Sequence, residues 1–207
     1  MKILAINTSG MTAQLALQVD DEKYFSELDA SMKHSENLLP EIERLLLKAK
    51  LKLSQLEYLA VNVGPGSFTG LRISSATAKA LMLTQKNLKA VKINSFEILA
   101  NNFFESNSEK SVNIVLNALS GLYFVSEIDR ANYITEPKMI NKSELNNFSN
   151  IVSDELIENV ELKLAKFTCE NMLNVAIKKI ENKEFCSESE LVPLYIRPSQ
   201  AEANLKK

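Results

Sequence analysis

Ile3-Leu4-Ala5-Ile6-Asn7-Thr8-Ser9-Gly10 opens the chain, and Asn113-Ile114-Val115-Leu116-Asn117, followed by Ser120-Gly121 and Leu122-Tyr123-Phe124-Val125, reopens it well downstream. Each reads as an apolar strand ending in Asn, a Ser-Gly turn and a second apolar strand. Hairpins share turn chemistry, so an echo of this length decides little by itself. Its position decides more, because each copy begins a segment that continues into helices. Working outward, Ala13 to Val19 and Lys23 to Leu28 extend the first copy into an antiparallel meander of three strands. The polar stretch Glu105 to Lys110 breaks the pattern, which divides the chain into a lobe at residues 1–104 and a smaller one at 105–207.

Two lobes with the same strand-hairpin start, each followed by helices, resemble the duplicated α/β plan of actin, Hsp70 and sugar kinases. Leu38, Leu39, Ile42, Leu45, Leu46 and Ala49 recur at spacings of three and four, the stripe of an amphipathic helix with Pro40 in its first turn. Gly70 to Thr84 reads as a second long helix, with Ala76, Ala78 and Ala80 permitting close packing. Lys89 to Ile93 reads as a strand, and Ser95 to Phe104 and Thr168 to Ile180 as further helices. Leu191 to Pro198 is an extended closing segment, since Pro193 and Pro198 disfavour helix.

Three of the five glycines fall in Gly64-Pro65-Gly66-Ser67-Phe68-Thr69-Gly70, between the apolar run Tyr58 to Val63 and the second long helix. Clustered glycines allow close backbone approach, and a strand-loop-helix junction leaves N–H groups pointing outward. Such a junction suits an anion or a partner's backbone. It also suits a plain tight turn, and the spacing does not separate the two.

Composition narrows the field. The 207 residues are 45% hydrophobic and 24% charged, so a sizeable core is available. The net charge of −2 gives no global attraction to a phosphate backbone, so this chain is not expected to be the main binder of a nucleic acid. Cys169 and Cys186 belong to no C-x-x-C pair, which removes support for a disulfide framework or thiolate metal site. The opening strand lacks the features of a signal peptide, and no apolar run approaches the ~18 residues of a membrane span. The cytoplasm is therefore the expected compartment.

The loop Val63-Gly64-Pro65-Gly66-Ser67-Phe68-Thr69-Gly70-Leu71-Arg72-Ile73 and the helix carrying Ala76-Thr77-Ala78-Lys79-Ala80-Leu81 resemble the TsaB (YeaZ) family. His34-Ser35-Glu36-Asn37-Leu38-Leu39-Pro40 is similar to that family's opening to its first long helix, and Pro193-Leu194-Tyr195-Ile196-Arg197-Pro198 to its C-terminal signature. The motifs bracket nearly the whole chain. The resemblance implies an actin-like ATPase (ASKHA, RNase H-like) fold of two related lobes, each a mixed sheet flanked by helices. It further implies a non-catalytic partner of TsaD and TsaE, whose complex transfers a threonylcarbamoyl group from threonylcarbamoyl-AMP to N6 of the adenosine beside the tRNA anticodon. The expected partners are homologues of TsaD and TsaE, a second copy when the chain is alone, and tRNA through the complex. No cofactor is expected to bind this chain autonomously, with ATP or ADP placed at the junction with TsaD.

The residues test that division of labour. TsaD-type proteins carry two histidines four apart on the helix after the next strand, able to share one metal. Here Ser95 and Leu99 occupy those positions, and the only histidine, His34, lies far away in sequence. The fold commonly begins each lobe with an aspartate that helps hold a nucleotide's magnesium. Asn7 and Asn117 stand there instead, and an amide carries no charge and cannot act as a base. A nucleophile elbow, a phosphate-binding P-loop and a dinucleotide fingerprint all fail on the frame of the glycine loop. A stand-alone ATPase or peptidase of the same fold is the alternative, and it lacks the carboxylate or metal site it requires.

Without catalysis, the two long helices become the functional surface. Candidate interface residues are His34, Leu38, Leu39, Ile42, Leu45, Leu46, Ile73, Ala76, Ala78 and Ala80, with Gly64 to Gly70 and Arg72 as a phosphate or partner contact. The competing reading buries both stripes in the lobe's own core. Lys48, Lys50, Lys52, Lys206 and Lys207 are basic residues available to tRNA, though such runs commonly lie on solvated faces or tails.

Overall fold

Two sheets built on the same plan divide the computed structural model, which describes residues 1–29, 33–131 and 133–196. Arg197 and Pro198 of the closing motif, and Lys206 and Lys207, lie outside the described residues. The first lobe contains β1 (Lys2–Asn7), β2 (Ala13–Val19), β3 (Glu22–Leu28), α1 (His34–Lys48), β4 (Tyr58–Asn62), α2 (Phe68–Thr84), β5 (Lys89–Ile93) and α3 (Ser95–Ser106). The second contains β6 (Ser111–Asn117), β7 (Leu122–Asp129), β8 (Lys138–Asn141), β9 (Ile151–Ser153), β10 (Lys163–Leu164), α4 (Cys169–Glu181) and β11 (Phe185–Cys186).

The first sheet runs β11-β5-β4-β1-β2-β3 and the second β10-β9-β6-β7-β8. In both, an antiparallel meander of three strands is followed by two parallel additions beside its first strand. This repeated topology is the actin-like fold, and it carries through the second lobe although β9 and β10 are only 3 and 2 residues long.

Side-chain alternation sorts the cores. Leu4 and Ile6 point to the face covered by α1 and α2, with Leu38, Ile42, Leu45, Leu46, Ala78 and Leu81. Ile3 and Ala5 point to the opposite face, covered by α4 through Met172, Leu173, Val175, Ala176 and Ile180. Helix α3 turns away and packs Phe96, Leu99, Ala100 and Phe103 on the second sheet. The lobes thus exchange helices, each sheet being covered in part by one from the other half of the sequence. A boundary at 104/105 separates the meanders but not the packing, because α4 and β11 return to the first sheet. The other face of the second sheet has no helix among the described residues: Leu145 from a 3-10 turn and Ile157 from a loop cover Val115 and Val125.

Two local expectations change. Pro40 sits inside α1, not in its first turn, since the helix already starts at His34. Pro40 and Glu36, whose carbonyl loses its i+4 N–H partner, are both exposed residues of α1. Helix α2 begins at Phe68 because Ser67 caps it, its hydroxyl accepting from Gly70 N at 3.2 Å.

Candidate functional site

At the carboxyl ends of β1 and β4, Asn7 and Asn62 meet in the interior, 2% and 0% exposed. Asn62 Nδ2 donates to Asn7 Oδ1 at 2.8 Å, Ser9 Oγ at 3.1 Å and Ser95 Oγ at 3.0 Å. Asn7 Oδ1 also accepts from Ser9 N at 3.0 Å and Ser9 Oγ at 2.7 Å, while its Nδ2 donates to Gln14 Oε1 at 3.1 Å. Gln14 Nε2 passes the chain on to Glu27 and to the Phe167 carbonyl, tying β2 to the segment before α4. The centre of this network is neutral and paired throughout, which rigidifies it and leaves no group free to act as a base.

The glycine loop closes over this network. Gly64 N donates to Asn62 Oδ1, and Ser95 Oγ donates to the Pro65 carbonyl at 2.7 Å. A Cβ on Gly66 would lie 2.5 Å from the Ser9 carbonyl oxygen, and one on Gly70 would lie 1.9 Å from that of Thr8. Ser67 N donates to the Ser9 carbonyl, and Thr8 Oγ1 to the Gly70 carbonyl. Gly66 and Gly70 are therefore spent on close contact with the β1–β2 turn, while the space for a Cβ on Gly64 is taken by the Leu71 side chain. Ser67 and Thr69 are exposed and Phe68 is half-buried; Ser67 Oγ serves as the helix cap.

Ser95 belongs to the amide network and Leu99 is fully buried on the second sheet, so these two positions do not fit a metal. Asn117, in the second lobe, repeats the turn of Asn7: Leu119 N donates to its Oδ1 at 2.7 Å as Ser9 N does to Asn7. Asn117 is exposed and its Nδ2 donates to Glu155 Oε1 at 2.7 Å.

One relationship that the sequence did not reveal joins the two ends of the resemblance. The closing segment lies against the glycine loop, Leu194 N donating to the Val63 carbonyl at 2.7 Å. The Tyr195 ring sits 5.1 Å from that of Phe68, and Arg72 Nε donates to Tyr195 Oη at 3.2 Å. Leu191, at its start, is fully buried in the α1–α2 core.

The helix residues split sharply. Leu38, Ile42, Leu45, Leu46 and Ala78 are buried in the lobe's own core and are corrected from surface to core. They cover β1, β2 and β4, whose Leu4, Ile6, Leu15, Leu59 and Val61 require that face to be dry. Leu39, Ala76 and Ala80 are exposed, Ile73 is half-buried, and Leu47 and Leu83 add to the exposed apolar set. His34 begins α1, half-buried, with Nε2 making no hydrogen bond among the described residues.

Residues 28–136, more than half the chain, match the profile of the family described as TsaD: tRNA N6-adenosine threonylcarbamoyltransferase. The chain is 33% identical over 130 residues to the tRNA threonylcarbamoyladenosine biosynthesis protein TsaB of Buchnera aphidicola subsp. Schizaphis graminum, covering 63% of this chain and 61% of that protein. The chain belongs to the TsaD family, and the curated relatives it resembles here are TsaB proteins.

The TsaB of Haemophilus influenzae is 30% identical over 131 residues, 63% of this chain and 55% of that protein. The chain thus spans under two thirds of the length of these TsaB relatives. The solved structure of an uncharacterized protein with similarity to peptidase YEAZ from Pseudomonas aeruginosa superposes with a TM-score of 0.81 at 18% identity, over 95% of this chain and 99% of that one. That likeness establishes the two-lobed fold. No helix among the described residues is long and apolar enough to cross a membrane.

Proposed function

We propose that the chain is a non-catalytic subunit in the formation of threonylcarbamoyladenosine in tRNA, binding a TsaD-type subunit through the exposed faces of α1 and α2. In this reading TsaD transfers the threonylcarbamoyl group from threonylcarbamoyl-AMP to N6 of the adenosine beside the anticodon, and TsaE joins the complex. Transfer RNA is met mainly through that complex. Without TsaD, the same helix faces pair two copies of this chain. The chain binds no nucleotide alone, and ATP or ADP belongs to the junction with TsaD.

The observation that carries this reading is the contrast between the two regions. Asn7, Asn62, Ser9 and Ser95 satisfy one another where a nucleotide-hydrolysing relative needs charge, and the β1–β2 turn packs closely on Gly66 and Gly70. Meanwhile α1 and α2 leave Leu39, Leu47, Ala76, Ala80 and Leu83 outside the core they build. Apolar and small side chains on two neighbouring helices fit a protein interface.

Reconstitution tests it. Adding the chain to TsaD, TsaE, ATP and a supply of threonylcarbamoyl-AMP is expected to restore tRNA modification that the other components do not achieve without it. A folded chain that leaves the modification rate unchanged overturns the reading. ATP hydrolysis or peptide cleavage by the chain alone, lost on mutating Asn7 or Ser67, would establish the stand-alone enzyme instead.

A further inference from the structure

The guanidinium of Arg72 is held in position without a counter-ion. It lies over the Phe68 ring, Cζ 3.9 Å from the centroid, a contact made possible by the i, i+4 spacing on α2. Its Nε donates to Tyr195 Oη, and the Tyr195 ring leans on Phe68. Tyr195 is itself fixed by the neighbouring bond from Leu194 N to the Val63 carbonyl. Among the described residues no carboxylate forms a salt bridge with Arg72, and its two terminal nitrogens have no hydrogen-bond partner. A planar fork is thus aimed outward with its side-chain entropy already lost.

We propose that Arg72 is the receptor for a carboxylate of the protein partner that docks along α2, with Phe68 and Tyr195 as positioning residues. This rests on the partner-subunit reading above and names the chemistry of the partner's contact. A guanidinium fork binds a carboxylate through two parallel N–H···O bonds. The surroundings favour a carboxylate carried by a protein over a free anion. Arg72, Thr69 and Ser67 are all exposed, and Ala76 and Ala80 continue the same side of α2. A cavity beside Asn171 and another beside Arg130 both lie away from Arg72, which lines neither. A small ligand needs concave walls to bury it, whereas here a docking protein supplies the missing wall. Docking also dries the pair, and desolvated arginines are enriched among the residues that dominate interfaces.

The full chain is titrated with its TsaD-type partner by calorimetry. Arg72→Gln is expected to weaken binding roughly tenfold or more, and Arg72→Lys by less, because an ammonium lacks the fork. The salt dependence of the wild-type affinity is expected to flatten in Arg72→Gln. Phe68→Leu keeps the charge and removes the stack, and is expected to weaken binding several-fold. Thermal melting of each variant reports folding separately. Folded Arg72→Gln within twofold of wild type overturns the proposal, as does undiminished binding by Phe68→Leu. If Leu39→Asp abolishes binding while Arg72→Gln does not, the partner reading stands and only the receptor falls. No binding by the folded wild-type chain overturns both. In a second arm, inorganic phosphate and ADP are titrated into the free chain while the Arg72 Nε–Hε resonance is followed. A saturable submillimolar shift of that resonance, accompanied by phosphate or ADP binding in calorimetry that Arg72→Gln abolishes, overturns the protein carboxylate in favour of a free phosphate.

Discussion

The side-chain amide of Asn62 donates to Asn7 Oδ1 across 2.8 Å, joining the ends of β4 and β1 in the interior. Because Oδ1 of Asn7 also accepts twice from Ser9, its own amide must face Gln14. Asn62→Ala removes the partner of Gly64 N–H and is expected to cost about 1–3 kcal/mol in urea unfolding. Asn62→Asp sets an oxygen against Asn7 Oδ1 in a buried place, so the new carboxyl favours its neutral form and its folded pKa rises above the unfolded one. Stability is then retained at low pH and lost as pH rises through the folded pKa. Unfolding at pH 5 and pH 8 should find the Asp variant closer to wild type at pH 5.

Gly70→Ala and Gly121→Ala separate steric from conformational need. The first puts a Cβ 1.9 Å from a backbone oxygen of Thr8 that sits at the end of β1 and has little room to retreat. It should cost about 3 kcal/mol or more, with α2 displaced at its start. Gly121 has a φ of +77° and open space around it, so alanine there should cost about 1–2 kcal/mol. Equal losses in chemical denaturation would contradict the packing of the loop on the turn.

Lys179 on α4 bonds Glu97 on α3 at 2.8 Å, where Glu97 is 5% exposed and also receives Asn94 N–H. Burial holds the Glu97 carboxyl above its usual pKa despite the ammonium beside it. A raised folded pKa means that this group's contribution is fully present below its unfolded pKa and is lost as pH rises through the folded value. Lys179→Gln removes the opposing charge and pushes the carboxyl further up. The loss relative to wild type should therefore be largest at pH 8, about 3–5 kcal/mol, and shrink toward pH 5 as Glu97 takes a proton. Thermal melts across that range check the sign.

Charge placed on the two sides of α1 should have opposite effects. Leu39 is 56% exposed, so Leu39→Asp should leave the melting temperature nearly unchanged while abolishing association with a TsaD-type partner and between copies. Leu46 is 7% exposed and packs in the first core, so Leu46→Asp should unfold the lobe. Sedimentation and circular dichroism on the pair distinguish the two outcomes.

Much of this architecture is legible in the chain. The β1–β3 meander shows as alternation, and the repeated Asn and Ser-Gly turns mark the duplication because each Asn builds the same local turn. Strands β9 and β10 did not show, since 3 and 2 residues carry no period. Helical spacing found the stripe of α1 but could not divide it. Leu38 and Leu39, adjacent in sequence, differ by about 100° around the axis, enough to put one in the core and the other in water. Asn62 was missed altogether, though an amide ending the apolar run Tyr58 to Val63 beside clustered glycines is the available signal. That the closing segment lies on the glycine loop depends on contacts between residues far apart in sequence, such as Arg72 and Tyr195, which no local pattern encodes.

The exchange of α3 and α4 between the sheets has a consequence for synthesis. A nascent chain that has emerged only as far as β10 displays β1, β4 and β5 with Ile3, Ala5, Ala60 and Val91 bare on one side, because the helix that covers them has yet to leave the ribosome. The lobe that begins first is finished last. Until α4 arrives, that bare surface is the place where a chaperone would be recruited or where two unfinished chains would stick together.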